Sequence, residues 1–174
     1  MDLESLSCAI LTISDTRTDA DDKSGAWLQQ QIPLAGHQVI DKRIVKDDIY
    51  GIRAIVSNWI ADSSVQVIIS TGGTGFTGRD STPEAIEVLL DKEILGFGEL
   101  FRSLSFDEIG ASTIQSRALG GIANGTLIFC LPGSSNAVKT GWEKILVQQL
   151  DVHFKPCNFA ELIPRFLEHL PKKA

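Results

Sequence analysis

The sequence predicts an α/β fold: a three-layer, doubly wound, mostly parallel sheet in a single domain spanning residues 1–174. Three observations carry that expectation. Short apolar runs alternate with helix-period segments along most of the chain. The run from Val65 to Ser70 is almost continuously apolar, the pattern of a strand covered on both faces. The length, 174 residues, suits one domain with a sizeable core.

In order, Cys8 to Ser14 reads as a short buried strand. Ser24 is placed to cap a helix from Gly25 to about Ala35, with Ala26, Leu28 and Ile32 on its apolar side, Pro33 near its end and Gly36 closing it. His37 to Val45 is a second strand. Tyr50 to Ala61 carries Ile52, Ile55, Val56, Trp59 and Ile60 at the i, i+3, i+4 spacing of an amphipathic helix. Val65 to Ser70 is the third strand. Thr82-Pro83-Glu84 marks a helix start, with Thr82 as N-cap and Pro83 at the first helical position, and that helix is expected to reach about Leu90. Glycines at 96, 98, 110, 120, 121 and 125 break up the stretch from Glu93 to Gly125. Within it, Phe97 to Glu108 reads as a helix and Ser116 to Ile122 as a short one. Thr126 to Leu131 is another buried strand, followed by a helix from about Asn136 to Leu150. Residues 151–174 contain Pro156, Pro164 and Pro171 and are expected to wrap the surface as a tail.

Composition narrows the class. Hydrophobic residues make up 43% and charged residues 22%, the balance of a soluble globular protein rather than a disordered one. A net charge of -6 argues against non-specific binding to nucleic acid or an anionic membrane. The apolar runs are too short to cross a bilayer, and Met1 to Ser5 lacks the cationic start of a signal peptide. A cytoplasmic protein with no nucleic-acid and no membrane partner is the expectation. Cys8, Cys130 and Cys157 form no Cys-x-x-Cys pair, and the first two fall in apolar runs, so they read as buried thiols. His37, His153 and His169 show no metal-ligand spacing. Trp27, Trp59 and Trp142 sit on helices among apolar neighbours and read as core or subunit-interface residues.

In an open α/β sheet, ligands bind beyond the carboxyl ends of the strands. Ser14-Asp15-Thr16-Arg17 follows the first strand and Lys46-Asp47-Asp48 the second. Thr71-Gly72-Gly73-Thr74-Gly75, with Arg79 and Asp80, follows the third. Pro132-Gly133-Ser134-Ser135 follows the strand ending at Leu131. If the sheet is parallel, these four loops meet on one edge. Glycine-loop N–H groups suit phosphate. Carboxylates beside a phosphate repel it unless a cation bridges them, and Mg²⁺ does so with one or two carboxylates, phosphate oxygens and water. A phosphate- or nucleotide-handling enzyme follows from these residues. Asp48 reads instead as a helix cap or turn former. Two familiar motifs are only approached. Gly73-x-Gly75-x-x-Gly78 fits the dinucleotide pattern, but no helix begins inside it; Gly73-x-x-x-x-Gly78 has Walker A spacing, but Arg79-Asp80 replaces the required Lys-Ser/Thr.

Ile13-Ser14-Asp15, Thr71-Gly72-Gly73-Thr74-Gly75, Arg79-Asp80-Ser81-Thr82-Pro83-Glu84 and Leu131-Pro132-Gly133-Ser134 together resemble the MoaB/Mog family of molybdenum-cofactor biosynthesis proteins, in its order and spacing. Gly96-Phe97-Gly98-Glu99 and Gln115-Ser116-Arg117-Ala118 extend the match over roughly residues 8 to 160, and Lys155-Pro156-Cys157-Asn158-Phe159 looks more like MoaB than Mog. The resemblance implies a molybdopterin-binding α/β fold that assembles as a homotrimer or homohexamer, with other pathway proteins as further partners. It also implies an adenylyltransferase that joins ATP and molybdopterin with Mg²⁺, giving adenylyl-molybdopterin and pyrophosphate. On that pattern Asp47 and Asp80 are the catalytic and Mg²⁺-holding acids. Ser14, Asp15, Thr71, Gly72, Gly73, Thr74, Gly75 and Arg79 map onto pterin-phosphate contacts, and Pro132, Gly133 and Ser134 onto nucleotide contacts. Some MoaB proteins depart from the aspartate pattern and lack the activity; this chain keeps Asp47 and Arg79-Asp80-Ser81-Thr82-Pro83. The alternatives are a non-catalytic molybdopterin-binding or scaffold protein and, third, a nucleotide pyrophosphatase.

Overall fold

The computed structural model describes residues 4–170; Met1 to Leu3 of the acidic start and residues 171–174 of the expected tail lie outside the described residues. Six strands, β1 (Ser7–Ile13), β2 (Gln38–Val45), β3 (Val67–Thr71), β4 (Lys92–Glu93), β5 (Leu119–Ala123) and β6 (Thr126–Leu131), form one sheet in the order β2-β1-β3-β6-β5-β4. The first four of these in space are mutually parallel, while β5 runs antiparallel to both β6 and β4. The expected doubly wound, mostly parallel sheet is therefore present.

Helices α1 (Lys23–Leu34), α2 (Ile49–Ala61), α3 (Thr82–Ile86), α4 (Leu95–Ile109), α5 (Ser135–Gly141) and α6 (Val147–Gln149) cover both faces. Side chains alternate across a strand, so each buried strand feeds two cores. Cys8 and Ile10 of β1 pack with Leu28, Ile32, Phe97, Phe101 and Trp142 on one face. Ala9, Leu11 and Ile13 pack with Ile52, Val56, Trp59 and Ile86 on the other. This two-sided burial is why the β1, β3 and β6 sequences are apolar without alternation. After Asp151, Ala160 and Ile163 join the first core, with Phe159 and Phe166 packed against it.

Four local expectations change. The N-cap of α1 is Asp22, not Ser24: its buried carboxylate accepts from the Gly25 N–H (2.9 Å) and the Thr12 hydroxyl (2.9 Å) and pairs with Lys42 (3.0 Å). Thr82 does not cap α3, because its hydroxyl donates to the Gly72 carbonyl; Ser81 precedes the helix with no side-chain cap, and a 3₁₀ turn replaces the helix from Glu87. Ser116 to Ile122 is not helical but leads into β5. A Cβ on Gly120 would lie 3.0 Å from the Phe129 ring, and one on Gly121 2.5 Å from Leu90, so these glycines permit close packing inside a strand. The last helix is interrupted by a π turn over Trp142–Leu146. Trp59 and Trp142 are buried and Trp27 partly so, as expected. Cys8 and Cys130 are buried free thiols, both pushed up to about 12 by burial. No helix among the described residues is long and apolar enough to cross a membrane.

Candidate functional site

Parallel pairing of β2, β1, β3 and β6 brings their carboxyl ends to one edge, and the four loops meet there. The β6 loop is locked first. Gly133 would bring a Cβ within 3.3 Å of the Gly72 Cα, and its carbonyl accepts from both Arg17 (3.0 Å) and Ser24 (3.1 Å). Thr71, fully buried, ties the third loop to it by donating to the Pro132 carbonyl (3.0 Å). A cleft of about 510 Å³ opens between these loops and α4. Ser14, Gly72, Gly73, Thr74, Gly75, Asp80, Pro132, Gly133 and Ser134 line it, as does Arg17. Phe101, Ser105, Ser112 and Gln115 form its opposite wall.

Asp15, Asp47 and Arg79 stand beside this cleft, outside its lining. Arg79 grips Asp15 through two nitrogens (2.6 and 2.9 Å), and the Asp47 N–H also donates to Asp15 (3.2 Å). The Arg79 hydrogen bond holds the Asp15 carboxyl below its ordinary range. Asp47 accepts from the Ser81 N–H (3.0 Å) and hydroxyl (2.5 Å) through Oδ1. Asp80 accepts from the Thr77 N–H (2.9 Å) and hydroxyl (2.6 Å) through Oδ2. Partial burial works against the charged form of Asp80, but Thr77, the Gly75 N–H and Arg117 outweigh it and keep the carboxyl below its usual value. Asp48 caps α2 by accepting from the Gly51 N–H (2.7 Å).

The glycine loop has a polarity that only the structure reveals. A trans peptide points its carbonyl and the following N–H in opposite directions. Thr82 holds the Gly72 carbonyl with its hydroxyl (2.8 Å) and the Gly73 carbonyl with its N–H (2.9 Å). The N–H groups of Gly73 and Thr74 are thereby turned the other way, and neither has a protein acceptor among the described residues. The sequence suggested four donors from Gly72 to Gly75. Two are committed: the Gly72 N–H bonds the Leu131 carbonyl (2.9 Å), and the Gly75 N–H faces Asp80. Glycine is required where the chain bends here, since φ is +107° at Gly72 and +63° at Gly73.

The donor set is compatible with Mg²⁺ only in company with a ligand. Asp47 commits one oxygen to Ser81 of the third loop and Asp80 commits one to Thr77 of its own, leaving Oδ2 of Asp47 and Oδ1 of Asp80 less engaged. No group of three or more His, Cys, Asp or Glu residues among the described residues makes a metal cage. Two carboxylates completed by phosphate oxygens and water suit Mg²⁺, which is seldom held by protein alone. Sequence reasoning missed Thr82, Ser81 and Arg117 as organisers of the loop; for Arg117 the one signal was its place in Gln115-Ser116-Arg117-Ala118.

A cleft at the carboxyl edge of a parallel sheet, lined by a glycine loop with unpaired N–H groups and flanked by aspartates, defines a class of α/β domain. A protein-family profile described as "Probable molybdopterin binding domain" matches residues 9–152. The chain belongs to the MoaB/Mog family of molybdenum-cofactor biosynthesis proteins, on the MoaB side. It is 56% identical to molybdenum cofactor biosynthesis protein B of Escherichia coli (strain K12), over 87% of this chain and 89% of that one. A crystal structure of a molybdenum cofactor biosynthesis protein B superposes with a TM-score of 0.86 at 43% identity, covering 95% of this chain and 99% of that one. The tungsten cofactor synthesizing protein MoaB from Pyrococcus furiosus gives 0.73 at 34% identity, covering 95% and 97%.

Proposed function

We propose that this protein binds molybdopterin and adenylylates it with Mg²⁺-ATP. The observation that carries the reading is the pair of unpaired N–H groups at Gly73 and Thr74, facing away from Thr82 in a cleft that Asp80 also lines. In the reaction, an oxygen of the molybdopterin phosphate attacks the α-phosphorus of ATP. The bond from that phosphorus to the bridging oxygen breaks, and pyrophosphate leaves with the electron pair. Asp47 and Asp80 would hold Mg²⁺, which when bound would neutralise charge between the phosphate groups. Gly73 and Thr74 bind a phosphate. Ser14, Pro132, Gly133 and Ser134 position ligand. The Arg79 side chain is exposed beside the cleft, where an anion can reach it from solvent.

The same reading includes a cytoplasmic homotrimer or homohexamer that hands its product to other proteins of the pathway. Leu95 (68% exposed), Phe106 (58%) and Ile114 (78%) on α4 and the turn after it support a subunit contact on that side. The binding-protein alternative is favoured by one fact: both aspartates already have structural hydrogen bonds, Asp47 across to Ser81 and Asp80 within its own loop to Thr77. Incubating purified protein with molybdopterin, ATP and Mg²⁺ decides between them. Pterin-dependent formation of adenylyl-molybdopterin supports the enzyme; tight molybdopterin binding with no product supports the alternative.

A further inference from the structure

Arg117 comes from the loop before β5, more than 40 residues along the chain from the glycine loop, yet it makes the densest set of contacts to that loop. Its Nε and Nη2 both donate to the Gly75 carbonyl, and Nη2 also donates to the Asp80 carbonyl (3.0 Å). Its backbone N–H donates to the Thr74 carbonyl (3.2 Å). Nη1 pairs with Glu84 at the start of α3, and the guanidinium lies over the Phe76 ring, 4.9 Å from its centroid. The arginine is half-buried.

Direction matters more than number. With the Thr74 carbonyl held toward Arg117, the Gly75 N–H of the same peptide turns toward the Asp80 carboxylate. With the Asp80 carbonyl held by the same guanidinium, both ends of the turn from Gly75 to Asp80 are fixed to one rigid group. Thr82 orients the first two peptides of the loop and Arg117 the next two, so all four carbonyls face the protein body. Lysine cannot reproduce this, because one ammonium lacks the planar fork that spans two carbonyls and a carboxylate.

We propose that Arg117 is a positioning residue: it holds the glycine loop in the anion-binding polarity and holds Asp80 in the site without touching ligand. This rests on the site bound by Gly73, Thr74 and Asp80 being the anion site of the proposed function. Glu84 in turn holds Arg117.

The test uses the full chain as wild type, Arg117→Met, Arg117→Lys and Glu84→Ala, with Mg²⁺-ATP and pyrophosphate as probes. Hydrogen exchange of residues 74–81 is followed in the same samples. Arg117→Met is expected to raise exchange in that segment while β3 and β6 stay protected. If the competent loop falls to about a tenth of the population, probe affinity falls about tenfold. Arg117→Lys should recover part of both effects. Glu84→Ala, at an exposed position, should loosen the segment less, and it keeps the test decisive if Arg117→Met does not fold. Unchanged exchange and affinity in Arg117→Met, or in Glu84→Ala where only that variant folds, overturns the proposal; so does exchange rising equally throughout the sheet. Wild-type protein that binds the probes but forms no adenylyl-molybdopterin overturns the enzyme reading alone, since neither readout depends on turnover.

Discussion

Replacing Gly72 by alanine tests the geometry of the glycine loop without reference to activity. Gly72 has φ of +107°, and an added Cβ would sit 2.1 Å from the Ile13 carbonyl oxygen. A side chain held in that backbone region costs about 1–3 kcal/mol. Overpacking against a strand end adds about 1–3 kcal/mol. Their middle, about 4 kcal/mol, is a large share of the roughly 5–15 kcal/mol that holds a domain folded. At about 2–4 °C per kcal/mol for a chain of this size, Gly72→Ala should melt about 8–16 °C below wild type. Gly96→Ala is the internal control. Gly96 lies in α4 with no positive φ and no atom within 4 Å of an added Cβ. Alanine there should stabilise by about 0.5–1 kcal/mol. Calorimetry of the three proteins at equal concentration gives the answer. A Gly72→Ala midpoint within about 2 °C of wild type, or the same shift in both variants, would refute the reasoning.

Asp80→Asn should lower adenylyl-molybdopterin formation by about 100-fold, the usual loss of one preorganised charge-stabilising group, with the melting midpoint near wild type; near-normal turnover removes Asp80 from the Mg²⁺ role. Burial lowers the pKa of His37, against a smaller opposing pull from Asp151, and Nδ1 accepts from the Leu6 N–H while Nε2 is buried with no hydrogen-bond partner among the described residues. The unfolded chain then binds the extra proton, so stability is full above the ordinary histidine pKa of about 6.5 and declines as pH falls below it. Urea midpoints should drop between pH 7.5 and pH 5.5, and His37→Gln should shrink that drop. Lys42→Met strands the buried Asp22 carboxylate and should cost about 3–5 kcal/mol by urea denaturation, with Asp22→Asn in the same chain recovering part of it.

Where local pattern and tertiary role agreed, the sequence was legible. Thr126 to Leu131 was read to the residue because every side chain in it is buried. Ile52, Val56 and Trp59 gave α2 its buried face. Legibility failed where a partner lies far along the chain. Gly120 and Gly121 look like breakers until Phe97, Phe129 and Leu90 are seen crowding them. Asp22 outcompetes Ser24 as a cap because β1 and β2 supply it with Thr12 and Lys42. The four candidate loops were identifiable from strand order alone, and Asp80 and the glycine loop do share a cleft. That Asp15 and Arg79 face each other rather than the cleft could not be read, since 64 residues separate them. Nor could the loop's polarity, which Thr82 and Arg117 impose from outside it.

The sheet order leaves β2 and β4 as its borders. An exposed strand border is a template on which a stray chain can add and propagate an aggregate. Here one border carries Asp41, Lys42 and Arg43 in succession, and the other, Lys92–Glu93, is only two residues long and both are charged. The reversal of β5 ends the parallel array in a border too short and too charged to recruit a foreign strand. The open sheet that assembles the cleft at one end is thereby guarded against amyloid-type growth along both of its sides.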